Sequence, residues 1–212
     1  APFYHFLNGK NNTVTLTDGV FSQGTDAYVG GWAYKATQMD NLIDKNVMNV
    51  KSVTSDGTAG AGGFAYEIAA HEKRPDVNPV VLNTDIVLDT FDLGTSTAEI
   101  SSIGGFVGIN NGVVQSCSTV LPAIEFDGVK PYLGGFAGTN SGTIAASWMR
   151  APSMKLKTNA WSSIGGFVGN NPGNVARSTA DIGPITISGF GDIGGFVGYT
   201  GPLPVETSTA NI

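Results

Sequence analysis

The chain has 212 residues, of which 13% are charged and 41% hydrophobic, with 30 glycines and a formal net charge of −6. The acidic balance excludes the basic footprint of a nucleic-acid-binding domain, no apolar run of about 18 residues exists to form a transmembrane segment, and a single cysteine, Cys117, excludes an internal disulfide framework. Low charge with abundant Ser, Thr, Asn and Gly, and a start at Ala1 with no signal-like segment, lead to the expectation of a mature secreted or surface-displayed protein.

Residues 1–29 open with Thr13-Val14-Thr15-Leu16-Thr17, which alternates polar and apolar as a strand does, before a turn signal at Asp18-Gly19. This segment is expected to cap the repeats C-terminal to it. From residue 30 to residue 212 the chain repeats a glycine pair and an aromatic residue: Gly30-Gly31-Trp32, Gly62-Gly63-Phe64, Gly104-Gly105-Phe106, Gly134-Gly135-Phe136, Gly165-Gly166-Phe167 and Gly194-Gly195-Phe196. The steps are 29 to 32 residues, except one of 42. A period of about 30 residues means stacked structural coils.

The first coil is degenerate. Met39, Leu42, Ile43 and Val47 suit either a short helix or a pair of strands, and strands are preferred because the neighbouring coils demand them. The 42-residue step implies an insertion near 67–79, where His71-Glu72-Lys73-Arg74-Pro75-Asp76 is polar and proline-interrupted. Loops that interrupt a rigid scaffold often carry binding, which makes His71, Glu72, Lys73, Arg74 and Asp76 a candidate binding loop.

The last four units share three features. A strand carries Gly105-Phe106, Gly135-Phe136, Gly166-Phe167 or Gly195-Phe196. An Asn/Gly-rich corner comes next, as at Asn110-Asn111-Gly112 and Asn140-Ser141-Gly142, where left-handed backbone is expected, and then a short strand ending in Cys117, Ser147, Ser178 or Ser208. A third strand begins 18 residues after the Phe, at Ile124, Met154 and Ile185. Its alternation puts Ile124/Phe126, Met154/Leu156 and Ile185/Ile187 inward, and stacking in register pairs Glu125 with Lys155 and Asp127 with Lys157. The predicted fold is all-β: a parallel β-solenoid of about six coils, with three strands per coil.

Continuous alternation through Ile-Gly-Gly-Phe-Val-Gly leaves two arrangements. The rings face outward as an apolar stripe, or inward as a stacked ladder with Ile164 and Val168 outside. The ladder is preferred because large exposed apolar stripes are rare.

The pattern Gly-Gly-Phe-Val-Gly-x-Asn-x-Gly-x-Val-x-x-Ser-x-Ala, best matched by 165–180 and 134–147, resembles the GLUG motif of large bacterial surface proteins, among them adhesins and IgA-cleaving metallopeptidases. This chain has Phe where that family usually has Leu. The resemblance implies a stalk or accessory region and carries over no catalytic residue.

His71-Glu72 lacks the second His of a zinc peptidase, so no metal or other cofactor is expected. Cys117 takes a small-residue slot of the repeat. Asp85, Asp89, Glu125 and Asp127, read as neighbours on an outer face, keep a polysaccharide-binding or polysaccharide-cleaving reading open. The glycine-rich first-strand face is flat enough to suggest ice binding. The leading expectation is a non-catalytic solenoid for adhesion, spacing or assembly, its partners being itself, other regions of a larger surface protein, a glycan or an ice surface.

Overall fold

The computed structural model describes residues 3–6, 9–22, 27–37, 43–55, 58–97 and 101–212. The fold is an all-β parallel solenoid of about six coils, with no helix among the described residues. The coil from 101 to 128 shows the construction: β1 (Ser101–Gly104), β2 (Val107–Asn110), β3 (Val113–Gln115), β4 (Ser118–Val120) and β5 (Ile124–Gly128). Each strand pairs in parallel with its equivalents in the coils before and after it. Three sides result: an arch made of β1 and β2, a short side made of β3, and a long side made of β4 and β5. On the long side Pro122, Pro152 and Pro184 fall at the break between the two strands, where a residue with no N–H costs the ladder nothing.

The expected first strand is in fact two. Gly105 and Phe106 turn the chain, so β1 and β2 lie in different sheets. Ile164, Phe167 and Val168 are all buried, which a continuous strand with one face in water does not permit. The glycine pair makes the fold-back possible. A Cβ on Gly165 would overlap the Val168 carbonyl oxygen and sit 2.7 Å from the Gly198 nitrogen, and one on Gly104 would sit 2.7 Å from the Gly138 nitrogen. The arch is therefore closed at backbone-to-backbone distance.

The ring direction is inward. Trp32, Phe64, Phe106, Phe136 and Phe167 are fully buried, and Phe196 is partly so. Ring centroids from Phe106 to Phe196 succeed one another at 4.8, 4.8 and 4.9 Å with nearly parallel planes. That spacing is the hydrogen-bonded strand separation itself, so stacking the rings costs the sheets no distortion. Backbone bonds continue through the corner, with Phe106, Phe136 and Phe167 each donating its N–H to the Phe carbonyl of the next coil at 2.8–2.9 Å.

A second column is polar and buried. Asn110 Nδ2 donates to Asn140 Oδ1 at 2.8 Å and Asn140 Nδ2 to Asn171 Oδ1 at 2.7 Å. Thr200 takes the next position, and Asn171 Nδ2 has no partner among the described residues.

The Asn/Gly corner is not left-handed. Positive φ falls instead one residue before the small polar slot, at Lys45, Asn83, Ser116, Ala146, Arg177 and Thr207. There Ser147 Oγ donates to the Ala145 carbonyl at 2.9 Å and accepts the Cys117 N–H at 3.2 Å, and Ser178 and Ser208 repeat the arrangement. The hydroxyl closes the turn and ties it to the adjacent coil, which offsets the cost of a left-handed non-glycine residue.

At the N-terminal end, Thr13–Leu16 is the expected strand and pairs in parallel with Val47–Ser55. Phe3–Phe6 and Gly9–Lys10 extend the β2 and β3 sheets in the same way, so this segment adds a coil of its own. Ile43–Asp44 and Val47–Ser55 are strands. Met39 and Leu42 lie outside the described residues.

Candidate functional site

The insertion leaves the stack after Ala65–Ile68 and rejoins it at Val80–Leu82. His71 and Arg74 form an isolated antiparallel bridge, and His71 Nδ1 accepts the Lys73 N–H at 3.2 Å. Arg74 meets both Asp76 carboxylate oxygens at 3.3 Å, and these hydrogen bonds hold the Asp76 carboxyl below the usual carboxylate range. Glu72, Lys73 and Asp76 are exposed, while His71 and Arg74 are half-buried. The structure thus brings Arg74 to Asp76 and Lys73 to His71, and the loop is folded largely on itself.

On the long side the expected ion pairs are present, Lys155 Nζ to Glu125 at 2.8 Å and Lys157 Nζ to Asp127 at 2.9 Å. Asp85 and Asp89 do not join them. Asp85 sits beside Ser118 and Asp92 beside Glu125, with alternation in Asp85–Thr95 slipping between them where Asp89 and Thr90 are both exposed. Asp85 and Asp89 lie earlier on that strand, toward the end beside Ser118, and this distance along the strand separates them from Glu125 and Asp127. Glu125 and Asp127, each already held by a lysine, are the charged rungs of a solvated face.

The glycine face that suggested ice binding is not an outer surface. Gly108, Gly138 and Gly169 pack against the backbone of the facing sheet inside the arch.

Cys117 is buried, with Sγ 3.3 Å from the Gln115 carbonyl oxygen. Burial pushes its thiol up from the ordinary 9.0 to about 12. The folded protein is expected to resist a disulfide reagent at pH 8 and to react fully once denatured, because the thiolate is the nucleophile. Stoichiometric labelling of the native chain within minutes contradicts this. The raised value also fixes a sign: the stability the neutral thiol confers is complete below pH 9 and is lost as pH rises toward 12.

Sequence reasoning missed a cleft at the open side of the arch. The β1 sheet presents a row of Tyr28, Gly60, Ser102, Tyr132, Ser163 and Asp192, coil by coil. The β2 sheet faces it with Lys35, Glu67, Ile109, Thr139, Asn170 and Tyr199. In the early coils Tyr28, Tyr34 and Tyr66 pack together, Tyr28 and Tyr66 at 4.5 Å, and burial first, then the neighbouring phenols, raises the Tyr66 phenol above the ordinary range. Midway the sheets touch through Ser102 Oγ and Thr139 Oγ1 at 2.8 Å. In the later coils they part around a cleft of about 300 Å³ lined by Tyr132, Trp161, Asn170, Asp192 and Tyr199, with Lys130 at its edge. The signal was available in principle: these are the variable positions beside an otherwise repeated motif.

Among the described residues no three His, Cys, Asp or Glu side chains converge in a metal-binding group. Comparison with protein-family models, curated proteins and solved structures finds no match. The GLUG resemblance therefore stands on the repeat residues themselves.

Proposed function

We propose that this chain is a non-catalytic, secreted or surface-displayed solenoid whose work is spacing and assembly by coil-on-coil stacking. One observation carries the reading. In the coil formed by residues 183–212, positions that are buried in the three coils before it come to the surface. Phe196, Ile187, Val197 and Ala210 are only partly covered, Ile193 is 48% and Ile212 75% exposed, and the strands of this coil are the outermost of their sheets. An apolar face rimmed by unpaired strand edges is a template for another strand layer. Its shape complements a further coil of the same repeat, because Phe167 already packs on Phe196 in that geometry at 4.9 Å. The occupant proposed is a further coil of the same repeat, which a second copy of this chain supplies in solution. The low charge and the Ser-, Thr- and Asn-rich corners support an extracellular setting, and the GLUG resemblance supports a surface stalk.

Sedimentation velocity across a concentration series tests the reading. The expected result is reversible association that disappears in Ile193→Lys/Ile212→Lys, since lysine on an edge blocks strand addition. A chain that stays monomeric to about 1 mM, at the weak end of affinity for a specific contact, removes self-assembly.

A further inference from the structure

We infer that the cleft between the two arch sheets at residues 130–199 is a saccharide-binding site that accepts a pyranose unit of a neutral hexose polymer. The inference is independent of coil stacking. Two large rings stand in water at its mouth, Trp161 at 61% and Tyr199 at 56% exposure, with Tyr132 partly buried between the sheets. Exposed aromatic area of this size on a cleft wall is a platform for an apolar face, and the C–H face of a sugar ring offers one. The Trp161 ring is held: its Nε1 donates to Asp192 Oδ2 at 3.0 Å, so the platform is oriented before anything binds.

The polar groups set the ligand class. Asp192 supplies carboxylate acceptors, Asn170 both a donor and an acceptor, and Lys130 donors. A ligand that satisfies them must donate and accept in turn around an apolar ring, as sugar hydroxyls do. A proline-rich segment presents rings but few donors, and leaves Asp192 unmatched. The cleft carries both signs of charge, Lys130 and Asp192, which selects no net charge in the ligand. Toward the N-terminal coils the arch is closed by the Ser102 Oγ to Thr139 Oγ1 contact at 2.8 Å. The cleft therefore ends at that contact and holds a short stretch of a polymer.

The test uses the full chain carrying Trp148→Phe, which leaves Trp161 as the one solvent-exposed tryptophan, Trp32 being buried. Gluco-, manno-, galacto- and chito-configured oligosaccharides are titrated, reading Trp161 fluorescence and heat. Saturable binding by at least one series, weakened at least tenfold by Trp161→Ala and by Asp192→Ala, supports the site. Both side chains are at the surface, and an unchanged circular dichroism spectrum confirms that each variant is folded. Binding that survives Trp161→Ala places the sugar elsewhere and overturns the inference. So does the absence of binding by every series at millimolar concentration, or saturable binding of a polyproline peptide in their place. The sedimentation result does not bear on any of these outcomes.

Discussion

Gly134→Ala is expected to lose about 4 kcal/mol or more, enough to unfold the coils around it or to abolish soluble expression. A Cβ there would overlap the Ala137 carbonyl oxygen and lie 2.8 Å from both the Gly169 nitrogen and the Phe167 oxygen. All three are backbone atoms in hydrogen-bonded strands, so no rotamer change relieves the collision, and the arch must open. Gly201→Ala is the control. Its nearest neighbour would be Pro172 Cα at 2.9 Å, beside an outermost strand that can shift, and a smaller loss is expected. Thermal and denaturant unfolding of the two variants checks the difference. Equal costs would mean that the close packing of the two arch sheets is not what makes glycine necessary.

Phe136→Ala is expected to cost about 3–5 kcal/mol, the range for emptying a large aromatic site in a packed core. Its ring is fully buried with neighbours at 4.8 Å on both sides. Phe196→Ala should cost less than half as much, since Phe196 is partly exposed and stacks on Phe167 alone. Phe136→Leu, which keeps most of the volume, is expected to lose about 1–1.5 kcal/mol. Denaturant midpoints for the three variants give the comparison. A Phe196 cost equal to that of Phe136 would refute the nearest-neighbour account of stability in this stack.

How much was legible depends on what a repeat encodes. In-register parallel stacking makes residues one period apart neighbours, so the constant 18-residue step from Phe placed Lys155 on Glu125 and Lys157 on Asp127 without a structure. The same logic marked the slot shared by Cys117 and Ser147. Alternation failed at the glycine pair because it counts side chains on a straight strand, and two residues without Cβ let the strand fold where the count expects it to continue. The left-handed corner was missed for a different reason. Its residues, Ser116, Ala146 and Arg177, share no chemistry; the hydroxyl or thiol after each of them closes the turn, and the corner residue is free to vary. Asp85 and Asp89 fall short of Glu125 because the one strand Asp85–Thr95 spans the length that Ser118–Val120 and Ile124–Gly128 share in the next coil, which no spacing between motifs reveals. The cleft lies at positions where the repeat does not repeat, and their partners across the arch are known only once the arch is seen.

The asparagine column has a direction. Asn110 donates to Asn140 and Asn140 to Asn171, so the amide dipoles point the same way along the rod and polarise one another. The middle amide both gives and receives, and the last holds a donor that Thr200 leaves unspent. The two ends of the column are therefore chemically unlike, Ile68 standing before it and Thr200 after it. Copies that join with this polarity preserved must meet front to back, a heterologous contact that closes into no two-fold dimer and propagates as a filament.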